Sequence, residues 1–123
     1  MKIKNQCREI EYKKLPLSAR KAIKWFATKD GGNCIDYHTK KYGYGIIATS
    51  DIIECVMNDE DIKDFKSFAE YHDWYDVDVI HPIQDIDKRW AVLIDNEIIV
   101  DGWHRFHSYI NSGYNEIPVI YYL

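Results

Sequence analysis

The sequence predicts an α+β or α/β domain in which a small mixed sheet carries packed helices. Three observations predict it. The 123 residues match the usual span of one domain, so residues 1–123 are expected to fold together. Hydrophobic residues at 46% and charged residues at 29% are ordinary for a folded globular chain and wrong for a disordered one. Strand-like and helix-like apolar patterns are mixed along the chain, with no repeat, low-complexity tract or linker between them.

Residues 8–13 alternate enough to form a strand. Pro16 then opens a helix whose apolar face is Ala19, Ala22, Ile23 and Phe26, with Arg20, Lys21 and Lys24 opposite. Gly31-Gly32 is expected to stop it, since glycine accepts the left-handed backbone of a helix end. Residues 33–49 hold Gly43 and Gly45 among tyrosines and predict a loop followed by a short strand, Gly45–Ala48. Ser50 is placed to cap a helix over Asp51–Met57. Asn58 or Asp59 is placed to cap a second, with Ile62, Phe65, Phe68 and Ala69 as its buried stripe. Val77–Ile80 predicts a strand that Pro82 limits. Residues 89–95 and 97–100 predict two strands around a tight turn at Asp95-Asn96. A helix over His104–Ser112, ended by Gly113, and a strand over Ile117–Tyr122 complete the chain.

Composition excludes several classes. No apolar run approaches the ~18 residues of a membrane-spanning helix. The polar N-terminus lacks an apolar signal-peptide centre, so the expected compartment is the cytoplasm. Cys7, Cys34 and Cys55 are an odd number at wide spacing and form no disulfide framework. The formal net charge of -4 argues against direct nucleic-acid binding by charge alone. Charge is also uneven: residues 58–78 hold eight acids against two lysines, or -6, which leaves +2 elsewhere. That segment is either a solvated helix face or an acidic surface that docks on a basic protein partner. Asp59, Glu60, Asp61 and Asp64 are the partner-binding residues in the second case.

Residues 98–122 carry the chemistry. An apolar strand runs into Asp101-Gly102, and a helix begins at once. Gly102 has no Cβ, so a ligand can approach the backbone closely there. The free N–H groups of the first helical turn point to the same space, which suits an anion. Arg105 offers forked donors for phosphate oxygens, and His104 adds another. Asp101 beside a phosphate needs a bridging Mg²⁺ or a role as base on an attacking hydroxyl; alternatively it simply caps the helix. Trp103 either stacks on a base or fills the core. His104 and His107 share a helix face, but no cysteine or further histidine is near them in sequence, which argues against zinc. His38, His72 and His81 stand singly. Tyr37, Tyr42 and Tyr44 are candidates for a wall beside the turn.

The pattern Asp101-Gly102-Trp103-His104-Arg105, then Gly113, then Ile117-Pro118-Val119-Ile120 resembles the signature of the ParB/sulfiredoxin superfamily. Pro82-Ile83 resembles a further Pro-Ile of ParB-like domains. The resemblance implies a compact ParB/sulfiredoxin-like fold that binds a nucleoside triphosphate or diphosphate with Mg²⁺ at the glycine turn. It implies Gly102, Trp103, His104 and Arg105 as nucleotide-binding residues, Asp101 and His104 as catalytic residues, and Asp101 as the Mg²⁺ ligand. Members include CTP-hydrolysing ParB proteins, sulfiredoxins, free serine kinases and nucleases, so fold alone does not settle function. Trp103 occupies the position of the sulfiredoxin catalytic cysteine, which excludes that chemistry. ParB proteins continue into a helix-turn-helix domain where this sequence stops at Leu123, so DNA partitioning is not expected.

Two functions follow. One is a small nucleotide-dependent phosphotransferase or hydrolase. The other is a non-catalytic acidic interaction protein, such as a phage or mobile-element inhibitor of a host defence nuclease. A nuclease using Asp101, His104 and His107 ranks last, because the net charge opposes it.

Overall fold

The computed structural model describes residues 2–29, 36–75 and 89–123. Five strands form one sheet: β1 (Arg8–Glu11), β2 (Lys41–Ala48), β3 (Val92–Asp95), β4 (Ile98–Asp101) and β5 (Glu116–Tyr122). Four helices are described: α1 (Leu17–Thr28), α2 (Thr49–Met57), α3 (Phe68–Tyr75) and α4 (Trp103–Asn111). The strand order is β1-β2-β5-β3-β4. Pairs β1/β2, β2/β5 and β3/β4 are antiparallel, and β3/β5 is parallel. The class is α+β with a mixed sheet.

β5 is central, and its composition explains why. Ile117 through Tyr121 are all buried. Side chains of a strand alternate between faces, so a strand with apolar residues at every position must be covered on both sides. Ile117, Val119 and Tyr121 face one core, with Val92, Ile94, Ile52, Val56, Phe106 and Tyr109. Ile120 faces the other, with Leu93, Tyr42, Ala19, Ala22 and Ile23. Helix α1 therefore covers one face, while α2, α3 and α4 contribute to the opposite one. Complete burial of an aliphatic or aromatic side chain contributes about 1.5–3 kcal/mol, so this strand is a main source of stability.

Several elements differ from expectation. β1 ends at Glu11, because Tyr12–Lys14 close a 3₁₀ turn. α1 buries Ala19, Ala22 and Ile23 of the expected face and also Ala27, with Phe26 half-buried, and it ends at Thr28, where Lys29 turns extended, before the expected stop at Gly31-Gly32. β2 starts at Lys41 rather than Gly45. Gly43 and Gly45 do not break it; they let other chain segments come close. A Cβ on Gly43 would stand 3.1 Å from both Cys7 and Tyr121, and one on Gly45 would stand 2.9 Å from the Gln6 carbonyl oxygen. α2 begins at Thr49, one residue before the expected cap Ser50, and has no side-chain cap. Instead the Thr49 hydroxyl donates to the Tyr114 carbonyl at 2.8 Å. Residues 58–67 form successive turns, and α3 starts only at Phe68. Of the expected stripe, Ile62 is buried, Phe65 and Phe68 are half-buried and Ala69 is exposed. The β3–β4 turn is centred on Asn96 and Glu97, both at positive φ (51° and 60°). That is the backbone a two-residue hairpin loop requires. The expected features at Gly31-Gly32, Val77–Ile80 and Pro82-Ile83 lie outside the described residues.

Candidate functional site

β4 delivers Asp101 to the end of the sheet, Gly102 turns the chain, and α4 follows at Trp103. Gly102 adopts φ 92° and ψ 24°, a left-handed conformation that favours glycine. Space is tight as well, since a Cβ there would lie 3.1 Å from the Arg105 guanidinium, which would have to give way by a few tenths of an ångström. The first helical bond runs from Phe106 N–H to the Gly102 carbonyl at 2.8 Å. No side chain caps this helix start, so Asp101 does not take the capping role that its position suggested.

Asp101 takes part in ion pairs instead. Lys29, at the end of α1, donates to Asp101 Oδ1 at 2.8 Å. Arg105 Nη2 lies 3.9 Å from Asp101 Oδ2. Oδ2 is buried and has no hydrogen-bond partner among the described residues. One carboxylate thus stands between two cations, and the local balance is +1.

Arg105 is turned inward. Its residue is 5% exposed. Nη1 donates to the Ala91 carbonyl, and the guanidinium lies 5.5 Å from the Trp90 ring centre. It supports the Gly102 turn from beneath and is not held out as a free fork. Trp103 is half-buried and packs against the core shared by α2 and α4. His104 is bonded at Nδ1 by the Tyr75 hydroxyl. Burial lowers its pKa, and the nearby Asp101 charge only partly opposes this, so its neutral form is favoured. Tyr75 occupies Nδ1, and Nε2 is the other polar atom of the ring.

α3 and α4 bring together groups that stand apart in the sequence. His107 is fully buried. Its Nδ1 lies 2.7 Å from His72 Nδ1, and its Nε2 lies 3.1 Å from the Tyr71 hydroxyl. The Tyr75 ring stacks on it at 3.9 Å between centres. Burial, with the His72 and His104 charges adding to it, pushes the His107 pKa from 6.5 down to about 3. His72 had stood alone in the sequence. The signal that finds it is Tyr71, His72 and Tyr75 on one helix matched to His104 and His107 at i, i+3 on another. Among the described residues, no group of three or more His, Cys, Asp or Glu side chains is arranged to hold a metal.

Of the acidic segment, which stands away from the glycine turn in sequence, residues 58–67 form successive turns, while Glu70 and Asp73 lie on α3. Asp59 is half-buried and accepts from Asp61 N–H at 2.9 Å; Glu60, Asp61 and Asp64 are exposed. Lys63 pairs with Glu60 at 2.7 Å. Tyr37 and Tyr42 pack with Tyr12 and Tyr122 on the α1 side of the sheet. No described helix is long and apolar enough to cross a membrane. Compared with family models, curated proteins and solved structures, the chain matches none.

Proposed function

We propose that the chain binds the phosphate of a nucleotide at the Asp101–Arg105 turn, as a ParB/sulfiredoxin-like domain. The observation that carries this reading is the uncapped start of α4 beside a charge cluster with a +1 balance. Backbone N–H groups and a positive surplus both favour an anion. Gly102 admits it, Lys29 and His104 contact it, and Arg105 with Asp101 positions the turn. Trp103 is a packing residue in this arrangement. Mg²⁺ does not fit well at Asp101: the carboxylate already meets Lys29 and Arg105, and a dication would have to displace one of them. Phosphate binding here is accordingly independent of Mg²⁺. Hydrolysis or transfer of the bound phosphate remains part of the proposal as chemistry that Asp101 or His104 would assist.

The test is a thermal-shift series with ATP, ADP, CTP, GTP and pyrophosphate, each with and without Mg²⁺, followed by an assay for released phosphate. A ligand at a hundredfold excess over Kd adds about 2.7 kcal/mol, several degrees for a chain of this size. A shift that Lys29→Ala and His104→Ala both reduce supports the reading; no shift with any of these ligands overturns it.

A second reading rests on the exposure of Glu60, Asp61, Asp64, Glu70 and Asp73. It is a non-catalytic protein that docks on a basic partner, such as the channel of a defence nuclease. Neutralising Asp59, Glu60, Asp61 and Asp64 would then abolish the complex, and salt would weaken it, because exposed charges are screened beyond a Debye length of about 8 Å at 0.15 M. Lys29→Ala would leave such a complex unchanged.

A further inference from the structure

The histidines between α3 and α4 form a chain of hydrogen bonds with one direction. His72 Nε2 lies 2.7 Å from Asn111 Oδ1, an oxygen that only accepts, so His72 Nε2 carries a proton. In neutral His72 the other nitrogen, Nδ1, is then an acceptor. His107 Nδ1 stands 2.7 Å away and must donate to it. That leaves His107 Nε2 to accept from the Tyr71 hydroxyl at 3.1 Å. Every polar atom of both rings is satisfied with both rings neutral.

One added proton is accommodated without movement. His72 becomes doubly protonated and donates from Nδ1; the His107 proton shifts to Nε2 and is donated to the Tyr71 oxygen. A second added proton has no place. Both Nδ1 atoms would then carry hydrogens, facing each other across a 2.7 Å gap between two positive rings.

We infer that His72 and His107 form an acid-released latch, a pair that holds at most one added proton while α3 is docked on α4. Phe68 ties the consequence to packing. It stacks on both histidine rings and meets Phe106 edge-on, so release of α3 uncovers an aromatic surface. The groups around the pair are Tyr71 and Tyr75 from α3, and His104 and Asn111 from α4. Asp59 acts on Tyr71, and Asp101 acts on His104. Among the described residues no carboxylate bonds either ring of the pair, so none of them compensates a second charge by a hydrogen bond. Docked α3 therefore binds one proton fewer than released α3 once the free rings titrate.

The experiment follows amide exchange of residues 71–75 against residues 117–121 in the full chain from pH 8 to pH 4, corrected for intrinsic exchange. One proton of linkage predicts that protection of α3 relative to β5 falls about tenfold per pH unit below roughly pH 6.5. In His72→Gln the amide oxygen accepts from a doubly protonated His107, so the fall should flatten. In His107→Phe the stacking ring is kept and the nitrogen facing His72 Nδ1 is removed, so it should flatten again. A pH-independent ratio in the unaltered chain overturns the latch. An unchanged slope in either variant overturns it too, because the effect would then lie outside the pair.

Discussion

Gly102 is the residue on which the turn depends. It carries φ 92° and leaves room for the Arg105 guanidinium directly beneath it. Gly102→Ala introduces both a strained backbone and a contact at 3.1 Å. The expected cost is about 1–3 kcal/mol, read as a lower midpoint in urea with an unchanged slope. A glycine turn was legible in Asp101-Gly102, but it was read as room for a ligand, whereas the structure puts a left-handed backbone and the Arg105 guanidinium there. The direction of Arg105 was not legible. A position in the first turn of a helix does not say whether a guanidinium reaches out to solvent or folds under, and here the Ala91 carbonyl draws it inward. The partner of Asp101 was hidden for a similar reason: Lys29 is distant in the sequence and arrives only when α1 packs on the sheet.

At the scale of elements, two local signals carry more than their length suggests. Ser67 and Glu70 start α3 with two bonds: the Ser67 hydroxyl accepts from Glu70 N–H at 3.2 Å, and the Glu70 carboxylate reaches back past Ser67 to accept from Lys66 N–H at 3.2 Å, a variant of the capping box. The S-x-x-E spacing was present in the sequence, but the acids at 59–61 looked like an earlier helix start. Turns satisfied those acids instead, as Asp59 does with Asp61. Ser67→Ala should cost about 1 kcal/mol and be read as faster exchange in residues 70–73. The second signal is the β3–β4 turn. Glu97 sits at φ 60° without being glycine, and its contacts compensate. Its carboxylate accepts from Ile3 N–H at 2.7 Å and Lys4 N–H at 3.3 Å, while its own N–H donates to the Tyr121 hydroxyl at 2.9 Å. The turn thereby anchors the chain's beginning, where Ile3 is 1% exposed. Glu97→Ala should cost about 1.5–3 kcal/mol through the lost charge-assisted bonds, and Glu97→Gln should recover much of it. Urea denaturation of both variants separates the two outcomes.

For the whole molecule, the mixture of strand and helix patterns made the fold class legible; the central place of β5 was not read, although its continuous apolar run marks a strand covered on both faces. Strand order was not legible, because β2 pairs with β5 across most of the chain and no local pattern records that. The same burial sets the response of the entire protein to pH. His107 has its pKa lowered from 6.5 to about 3 in the fold. Between those values the unfolded chain binds the extra proton and the folded chain does not, so stability is complete above pH 6.5 and falls as pH drops toward 3. On the alkaline side burial raises Cys7 and Cys55 from 9.0 to about 11, and Tyr75 and Tyr121 from 10.0 to about 12. Tyr71 moves in the same direction. These groups are neutral when protonated, so above pH 9 the unfolded chain ionises first and stability falls again as pH rises. The melting temperature should therefore show a plateau between about pH 6.5 and 9 with a decline on each side. Calorimetric scans from pH 4 to 11 check it. His107→Phe should flatten the acid limb and leave the alkaline limb in place, while a chain whose melting temperature still rose between pH 9 and 11 would contradict the burial of the thiols and phenols described above.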